Sequence, residues 1–567
     1  MSGKGWSPEK TGFLLAYPNV AKIGMASLGM QVIEDVAASN LAYYVDTCYL
    51  PDKPERARLT STRAHAPLKT FSLVGFSCAF ELDYPNVTRM LHAATIPQRS
   101  ADRERMRATN DQFPIVIAGG VAVSSNPLPL LPFLDFIFIF DAEFTIKEFL
   151  DHFTRFIEDG MTLETWWDGY PGTKRGIIPA FKFKEGMPLD ILLTREACAW
   201  DVRPLDELDV PVQQQLFDPE EPSSLGTSYL LEIGRGCGEG CRFCLIGNHQ
   251  RPPRYRSIAS IQQIQEQIGG PGHPFRKIAM IGTNVADHPE LSEACTCIID
   301  SGYQLSIPST KPCNDEGMMH AIEASGIHTI TIAPETGSER LRSVANKKIS
   351  NAEFKAMAEQ LLQHGVTTIK VYLLFGLPTE TSMDLDESIQ FLEELKETTR
   401  DAGARLTISL NPFIPKLGTP FMFHVTNYLS KNFKQFRHDY EAFTSRLETA
   451  CRTKISTMDL KEARLQAVLS LGGTELSAFL QVTGQVETKP GLLRIPDNVI
   501  DTSLESIEAL LLQEHVPKYL VNIIPVSLEF LQREWYAAFD GTTSPRCMPP
   551  DSCAGCDHVN CIQDSRS

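Results

Sequence analysis

Hydrophobic positions between residues 12 and 150 alternate between short apolar runs and stretches with helical spacing. Apolar side chains recur three or four positions apart at residues 29–39 and 86–94, as in amphipathic helices. Short buried strands joined by helices predict a parallel, Rossmann-like, doubly wound sheet, whose ligands bind beyond the carboxyl ends of the strands. Gly75, Gly119 and Gly120 fall at those ends. The predicted strands are residues 13–17, 71–77, 114–120 and 136–140.

A second series of strands and helices extends from about residue 226 to residue 425. One of its helices has a clear start, because Ser350 and Glu353 form a capping box, and Gly365 ends it. Chemically distinctive residues follow nearly every strand, which favours a partial (β/α) barrel of six strands over a flat sheet. The predicted strands are residues 229–234, 277–282, 303–308, 328–333, 367–375 and 405–412.

The remaining segments complete a four-part organisation of the 567 residues. Residues 191–225 are rich in Pro, Asp, Glu and Gln and predict a linker. Spacing beyond residue 426 is mainly helical until a Cys-rich tail. We therefore expect an α/β protein with a Rossmann-like domain at 1–190, a linker at 191–225, a barrel core at 226–425 and a helical C-terminal region at 426–567.

Charge and hydropathy narrow the class of protein. The formal net charge of −17 argues against general nucleic-acid binding, which needs basic surface. The most apolar run, residues 128–140, contains two prolines and an aspartate and is too short to cross a membrane. The first residues have no apolar signal core, so we expect a cytoplasmic protein. In that reducing compartment, clustered cysteines among the fourteen point to metal binding.

The densest motif follows the first barrel strand, where Cys237, Cys241 and Cys244 are spaced C-x3-C-x2-C. Three thiolates at this spacing can each bind one corner of a cubane iron–sulfur cluster. A fourth cysteine is missing locally, which leaves one iron open to another ligand. Phe243 is an apolar neighbour of such a cluster. The alternative is a zinc site in which His249 supplies the fourth ligand.

This motif, together with segments after later strands, resembles the radical S-adenosylmethionine (SAM) superfamily. The resemblance implies a [4Fe–4S] cluster on the three cysteines, with SAM bound at the open iron. Glu335 would contact the ribose hydroxyls or the amine of SAM, and Arg340 its carboxylate. The segment Ile281-Gly-Thr-Asn284 departs from the Gly-Gly-Glu of the family. The other cofactor contacts implied are Phe243, Gly282, Thr283, Asn284, Ser306, Ser309, Tyr372, Gly376, Leu377 and Pro378.

The N-terminal segment resembles a cobalamin-binding domain fused ahead of a radical SAM barrel. The resemblance rests on residues 15–29, 74–81, 117–120 and 140–143. Many cobalamin domains offer a histidine to cobalt after the first strand, but this chain has no histidine before His65. Two readings remain open: cobalamin bound without a protein ligand, or a domain that has lost the cofactor and caps the barrel.

The tail contains Cys547, Cys553, Cys556 and Cys561. Four thiolates can complete an auxiliary [4Fe–4S] cluster or hold one tetrahedral zinc ion, with His558 as a spare ligand. A tail that binds no metal is the third alternative.

We therefore expect an enzyme that reductively cleaves SAM to a 5′-deoxyadenosyl radical and abstracts hydrogen from an unactivated carbon. Methylation or formation of a C–C or C–S bond would follow, with an unidentified substrate and a reductant such as ferredoxin or flavodoxin. One alternative is methylthiotransferase-like modification of RNA or protein, although no RNA-binding barrel is evident after residue 426. Another is a non-catalytic iron–sulfur redox sensor or scaffold, which would not need the SAM-contact segments.

Overall fold

The computed structural model describes most of the chain. The residues described are 10–51, 59–108, 113–208, 210–211, 228–269, 275–307, 309–313, 315–485, 495–509, 517–548 and 553–558. Within these ranges, no helix is both long enough and apolar enough to span a bilayer.

The N-terminal segment forms a six-stranded sheet with the order β2-β1-β3-β4-β5-β6. All neighbouring pairs are parallel except β5 with β6. The predicted doubly wound sheet is therefore confirmed. Its strands are β1 (Thr11–Val20), β2 (Tyr43–Leu50), β3 (Leu73–Ser77), β4 (Ile115–Gly119), β5 (Phe136–Phe138) and β6 (Ile177–Ile178).

Strand β2 was not among the predicted strands, because a polar pair interrupts its apolar run. Asp46 and Thr47 are both fully buried. The carboxylate of Asp46 accepts hydrogen bonds from the backbone N–H groups of Thr47 (2.8 Å) and Arg63 (3.0 Å), which offsets the cost of burying it. In the sequence, a buried aspartate whose carboxylate accepts backbone hydrogen bonds resembles an aspartate of an exposed loop.

Helices cover both faces of this sheet. Apolar side chains of α2, α6 and α7 form one core on the first face. The second face contributes to a larger core that continues into the barrel, so the two domains share buried surface. The helices of this part are α1 (Ala21–Gly24), α2 (Leu28–Ser39), α3 (Tyr84–Ala93), α4 (Ser100–Ala108), α5 (Val121–Ser125), α6 (Glu143–Asp159), α7 (Leu163–Asp168) and α8 (Arg195–Cys198).

The second series forms two four-stranded sheets, with orders β10-β9-β7-β8 and β11-β12-β13-β14. A single parallel bridge between Ser309 and Thr331 connects them, so the six predicted strands follow one another in one arc. Short strands β8 and β14, which were not predicted, extend the two outer edges. The strands are β7 (Tyr229–Arg235), β8 (Arg254–Tyr255), β9 (Lys277–Gly282), β10 (Gln304–Ser306), β11 (Thr329–Glu335), β12 (Thr368–Phe375), β13 (Arg405–Pro412) and β14 (Ile455–Thr457).

Helices separate the barrel strands and form most of the C-terminal region. The predicted capping box of Ser350 and Glu353 starts α14. The barrel helices are α9 (Leu245–His249), α10 (Ile258–Gln267), α11 (Leu291–Asp300), α12 (Glu316–Ala324), α13 (Glu339–Val344), α14 (Asn351–Gln363) and α15 (Ser382–Asp401). The C-terminal helices are α16 (Ser430–Cys451), α17 (Leu460–Leu471), α18 (Ser477–Gln485), α19 (Asp497–Ala509), α20 (Lys518–Ile523) and α21 (Leu528–Phe539).

The C-terminal helices contact the N-terminal domain. Thr88 of α3 donates its hydroxyl to the carbonyl of Leu480 (2.7 Å), and Asn126 donates to the carbonyl of Gly472 (2.9 Å). The stretch predicted as a linker is partly packed, because its Leu193 is buried and accepts a hydrogen bond from Asn522 (2.7 Å). Apolar residues between prolines and acids give this stretch a core contact that its composition does not indicate.

A buried ion pair anchors the N-terminal sheet. Arg103 of α4 and Asp135 before β5 have fully buried side chains with N–O contact at 3.0 Å. Asp135 also accepts the backbone N–H of Val116 in β4 (2.7 Å), and Arg103 donates to the carbonyl of Phe133 (2.9 Å). The pair therefore links α4 to two adjacent strands.

We expect Arg103→Ala to lower the free energy of unfolding by about 3–5 kcal/mol, because the buried Asp135 loses its hydrogen-bonded cation and keeps Arg107 at 3.8 Å. Urea unfolding followed by circular dichroism measures this loss. Arg105→Ala on the same helix is the matched control, since the side chain of Arg105 is 78% exposed and should leave the unfolding midpoint nearly unchanged. Equal effects of the two variants would contradict the anchoring role of Arg103.

Candidate active site at the carboxyl ends of the barrel strands

The loop after β7 carries the three clustered cysteines. Gly236 turns the chain with a φ of +84°, and a Cβ there would come within 2.4 Å of the carbonyl oxygen of Gln250. The backbone N–H of Cys237 donates to that same oxygen (3.3 Å). Cys244 is the N-cap of α9, where its Sγ accepts the N–H of Gly247 at 3.5 Å. Gly236 thus fixes the start of the cysteine motif, and the first turn of α9 fixes its end.

Side-chain amides and backbone bonds hold the middle of this loop. The amide of Asn248 donates to the carbonyls of Cys241 (3.1 Å) and Cys244 (2.8 Å). Asn346, after α13, donates to the carbonyl of Gly240 (3.0 Å). The N–H of Arg242 donates to the carbonyl of Ala345 (3.0 Å). The loop backbone is therefore fixed by elements on both sides.

Burial disfavours the free thiolate form of these cysteines. Cys237 is buried, and Cys241 and Cys244 are partly buried. Burial raises the pKa of Cys237 to about 12 and also raises the pKa values of Cys241 and Cys244, while the Lys347 ammonium opposes the rise at Cys241. The thiolate is the form that binds metal, so a cationic iron–sulfur centre would have to offset this cost. Ligation of a cubane cluster by these three cysteines stays a prediction.

The zinc alternative depends on His249. Nε2 of His249 donates to the carbonyl oxygen of Leu417 (2.9 Å), while its Nδ1 is buried and has no hydrogen-bond partner among the described residues. Burial lowers the pKa of His249 to about 4, which keeps the ring neutral. Among the described residues, no three His, Cys, Asp or Glu side chains are placed to hold a single metal ion, and this applies to the cysteine loop under either assignment.

Predicted SAM contacts lie after β9 and β10. Gly282 ends β9, Thr283 follows and is exposed, and Asn284 donates its amide to Asp287 (2.6 Å). Ser306 ends β10, and Ser309 is exposed beside the bridge to β11. All five stand at the carboxyl ends of parallel strands, the face on which barrels bind their ligands. Their contacts with SAM stay predictions.

Glu335 lies beside the cysteine loop. It ends β11 with a φ of +66°, a conformation that non-glycine residues rarely adopt and that is frequent at functional sites. Its carboxylate pairs with Lys347 at 2.9 Å, and it raises the pKa of Cys244. Lys347 was not among the predicted site residues, because a lysine before a helix start is ordinary in sequence.

Arg340 has a set of protein partners of its own. Its guanidinium pairs with Asp384 at the start of α15 (2.5 Å) and donates to the carbonyl of Thr379 (2.8 Å). Arg340, Ser338 and Thr381 donate to Asp384, and these bonds hold its pKa at about 2 although burial opposes them. The predicted contact of Arg340 with the SAM carboxylate competes with this arrangement.

Successive side chains of β12 point to opposite faces of its sheet. Ile369, Val371 and Leu373 are buried against the helices, whereas Lys370 and Tyr372 point to the opposite face, with Lys370 Nζ 4.9 Å from the Tyr372 ring centroid. Tyr372 therefore lies within β12, as the predicted strand 367–375 implies, and its contact with SAM stays a prediction.

Three predicted residues follow the end of β12. Gly376, Leu377 and Pro378 are buried. The N–H of Gly376 donates to Glu380 (2.7 Å), and its carbonyl accepts from Asn427 (3.0 Å). Phe243, in the cysteine loop, is partly buried and packs against the main core. The adenine and cluster contacts predicted for these residues are untested.

A cavity of about 540 Å³ lies where the N-terminal sheet meets the barrel. Glycines line it at the ends of the N-terminal strands, as the doubly wound pattern predicts: Gly75, Gly119 and Gly120. Its apolar lining residues include Phe13, Leu15, Met30 and Ile117 of the N-terminal domain. On the barrel side it reaches Gly282 and Thr283, two of the predicted SAM contacts. One space therefore connects the two predicted ligand sites.

Charged residues form the rim of this cavity. Arg235 at the end of β7 pairs with Asp141 (2.9 Å), Glu143 (2.8 Å) and Glu232 (2.8 Å), so it joins the N-terminal domain to the barrel. Oε2 of Glu143 is buried and has no hydrogen-bond partner within the described residues. A ligand donor in the cavity would satisfy this oxygen.

Family comparisons agree with this geometry. Residues 231–392 match the family described as the radical SAM superfamily, and residues 29–171 match the family described as radical SAM proteins, N-terminal. The chain belongs to the radical SAM superfamily. Membership implies a [4Fe–4S] cluster and SAM as cofactors, whereas the roles of the cysteine loop and of Glu335 stay predictions.

Relatives of this radical SAM protein differ in how much of the chain they match. The "Uncharacterized protein MJ0966" of Methanocaldococcus jannaschii is 26% identical over 509 residues, which are 87% of this chain and 96% of that protein. The tRNA-2-methylthio-N(6)-dimethylallyladenosine synthase of Chlorobium phaeobacteroides is 23% identical over 189 residues, 31% of this chain and 42% of that enzyme. The chain thus spans less than half of that second relative.

Among solved structures, the cobalamin-dependent radical SAM enzyme OxsB, with aqua-cobalamin and SAM bound, matches 98% of this chain and 83% of its own chain. The sequence identity is 13% and the TM-score is 0.46. Coproporphyrinogen III oxidase (HemN) from Escherichia coli matches 39% of this chain and 52% of its own, at 13% identity and a TM-score of 0.28.

We expect Cys241→Ala to lose bound iron and to abolish production of 5′-deoxyadenosine, because two thiolates do not retain a cubane. Iron content and product formation are measured after anaerobic reconstitution. Cys451→Ala is the matched control, since Cys451 is buried at the end of α16 and should leave both unchanged. Product formation by Cys241→Ala at the wild-type rate would contradict the ligand assignment.

We expect Glu335→Gln to weaken SAM binding about ten- to a hundredfold, because a charge-assisted hydrogen bond contributes about 1.5–3 kcal/mol. Equilibrium binding of SAM to the reconstituted protein measures it, with the cluster absorbance as the integrity check. Arg340→Ala is the comparison. A loss of SAM affinity there supports the predicted carboxylate contact, whereas a loss of thermal stability alone assigns Arg340 to Asp384.

Proposed function

We propose that this protein is a radical SAM enzyme that reductively cleaves SAM to a 5′-deoxyadenosyl radical and uses cobalamin to methylate an unactivated carbon. The cavity that joins the N-terminal sheet to the predicted SAM face carries the proposal. A [4Fe–4S] cluster supplies the electron for SAM cleavage, and a corrinoid supplies a methyl group.

The first part rests on the cysteine loop. Cys237, Cys241 and Cys244 would hold the cluster as thiolates, whose charge a cationic centre would compensate. Glu335, held by Lys347, lies beside the loop and would accept hydrogen bonds from the amine or the ribose of SAM. Asn346 and Asn248 fix the loop backbone and would keep the open iron in one orientation.

The second part rests on the fit of the cavity to a corrinoid. The apolar side chains that line it on the N-terminal side suit an aromatic base, and Gly119 leaves room that a side chain would occupy. The unpartnered Oε2 of Glu143 can accept from one of the amide groups that surround a corrin ring. No histidine lines the cavity, so cobalt would have no histidine ligand there.

The polar face of the barrel would receive the substrate. Lys370 and Tyr372 on β12 stand on the face that the helices do not cover. Lys370 can bind an anionic group, while the tyrosine ring gives an apolar surface beside it. This pairing favours a substrate with both an acidic and an apolar part.

Methylthiolation is the second candidate function. Its support is the similarity of about a third of the chain to two tRNA-2-methylthio-N(6)-dimethylallyladenosine synthases, from Chlorobium phaeobacteroides and Hahella chejuensis. Cobalamin is the discriminating cofactor, because sulfur insertion uses a sulfur donor in place of a corrinoid. The net charge of −17 also disfavours an RNA substrate.

We expect the purified protein to bind hydroxocobalamin with one cobalt per chain, and Gly119→Val to weaken binding at least tenfold, about 1.4 kcal/mol. Valine fills the cavity without backbone strain, because the nearest atom to a Cβ at Gly119 is 3.6 Å away. Absorbance titration and cobalt analysis after gel filtration measure binding.

Gly169→Val is the matched control, because Gly169 ends α7 with a negative φ and does not line the cavity. It should bind cobalamin like the wild type. Absence of cobalt from the saturated wild type would overturn the cobalamin part and leave a domain that caps the barrel. SAM cleavage by the same preparation tests the first part separately.

A further inference from the structure

A short segment of the tail, residues 544–548, lies along the spacer between the first two clustered cysteines, residues 238–240. The backbone N–H of Cys547 donates to the carbonyl of Gly238 at 2.7 Å. A Cβ added at Gly238 would lie 2.4 Å from the carbonyl oxygen of Cys547. The φ angle of Gly238 lies outside the left-handed region, so the close approach of the tail, and not the backbone conformation, requires glycine. We call residues 544–548 the tail strap.

The strap also contacts the other two residues of the spacer. Arg546 forms an ion pair with Glu239 at 3.0 Å. The N–H of Ser544 donates to the side chain of Asn346 (2.9 Å), and the amide of Asn346 donates to the carbonyl of Gly240 (3.0 Å). Each spacer residue is therefore held by the strap, either directly or through Asn346.

Arg546 connects the spacer to the segment that follows β9. Its guanidinium pairs with Asp287 at 2.7 Å as well as with Glu239. The other carboxylate oxygen of Asp287 accepts the amide of Asn284 (2.6 Å), a predicted SAM contact. Lys311, which follows β10, contacts the same two carboxylates. Two cations and two acids thus join the cysteine motif, the ends of β9 and β10, and the tail.

This ion cluster is partly buried. The side chain of Asp287 is 7% exposed and that of Glu239 is 20% exposed, whereas that of Arg546 is 36% exposed. Burial opposes the charged form of Arg546, but hydrogen bonding to Asp287 and the charge of Glu239 raise its pKa, so the guanidinium stays charged. Water and salt screen partly buried pairs less than surface pairs, so loss of Arg546 leaves two buried acids short of a counter-charge.

The remaining described part of the tail contacts α9. Nε2 of His558, which the sequence offers as a spare metal ligand, donates to the carbonyl of His249 (2.8 Å), so this nitrogen cannot bind a metal at the same time. Cys556 is buried, Cys553 is exposed, and Cys561 lies outside the described residues. Metal binding by the tail cysteines stays a prediction, and the strap does not depend on it.

We propose that the tail strap sets the conformation of the cysteine motif and aligns it with the segment after β9, with Arg546 as the positioning residue. The strap acts through the backbone between the cysteines and through the carboxylate that holds Asn284. Its effect on the thiols is independent of any cofactor. Its effect on SAM binding rests on the proposed function.

Thiol accessibility tests the strap in the metal-free, full-length protein. Iodoacetamide should alkylate Cys237 about tenfold faster in Arg546→Glu, because a third acid beside two carboxylates repels the strap. Peptide mass spectrometry measures the rate at each cysteine, with the fully buried Cys295 as internal reference. Arg546→Lys keeps the charge and should stay close to the wild type. Arg446→Glu is the matched control, because Arg446 is 49% exposed and pairs with an exposed acid away from the cysteine motif.

A second variant perturbs the same contact from the other side. Gly238→Ala should also speed alkylation of Cys237, because its Cβ displaces the carbonyl of Cys547. Gly169→Ala is its control, since a Cβ at Gly169 makes only ordinary contacts. Unchanged alkylation of Cys237 in both Arg546→Glu and Gly238→Ala would overturn the proposal. An equal rise at Cys295 would show general loosening of the fold and would overturn the specific role of the strap.

Binding of SAM to the anaerobically reconstituted protein tests the alignment. Arg546→Glu should bind SAM about tenfold more weakly, or about 1.4 kcal/mol, and Arg546→Lys should restore the affinity. Wild-type SAM affinity in Arg546→Glu would overturn the alignment of the segment after β9. A wild-type protein that takes up neither iron nor SAM would instead overturn the proposed function, and the alkylation rates would still decide the role of the strap.

Discussion

The packing of three cysteines into one short loop, with Cys237 buried and Cys241 and Cys244 partly buried, is the constraint on which the candidate active face depends. Burial raises the pKa values of all three thiols, so a cationic centre bound to the thiolates would have to offset the cost of deprotonating them. Because the ligands lie on a loop and not on a strand, its backbone must be held from outside. Asn346 holds it from the barrel, and Cys547 holds it from the tail.

This constraint explains why regions far apart in sequence converge on one face. Asn346 bonds the loop and also Ser544 of the tail, so a single amide connects barrel, loop and tail. Arg242 reaches Glu534 of α21 with both charges buried, which places the last helix behind the loop. Arg235 of β7 likewise forms an ion pair with Asp141 of the N-terminal domain. The C-terminal region therefore takes part in forming the site.

Local patterns predicted the fold well because parallel strands and caps have local signals. The six barrel strands and the capping box of α14 are confirmed, and so is the doubly wound sheet. Strand β2 was missed because Asp46, a buried acid whose carboxylate accepts backbone hydrogen bonds, resembles a loop residue in the sequence. The predicted site residues came from motifs, whereas Lys347 and Asn346 act through contacts that no spacing reveals. Arg340 was predicted from a motif, but the motif did not indicate its partner Asp384, which lies 44 positions away in the chain.

The two predicted ligand sites belong to one space, and this limits the chemistry. A cavity that touches Gly75 at one end and Thr283 at the other brings a ligand of the N-terminal sheet to the SAM side of the barrel without domain movement. Arg235, paired to carboxylates on both domains, fixes that alignment. The proposed methyl transfer depends on a connected cavity of this kind, because SAM and a ligand of the N-terminal sheet would both have to face the same substrate carbon.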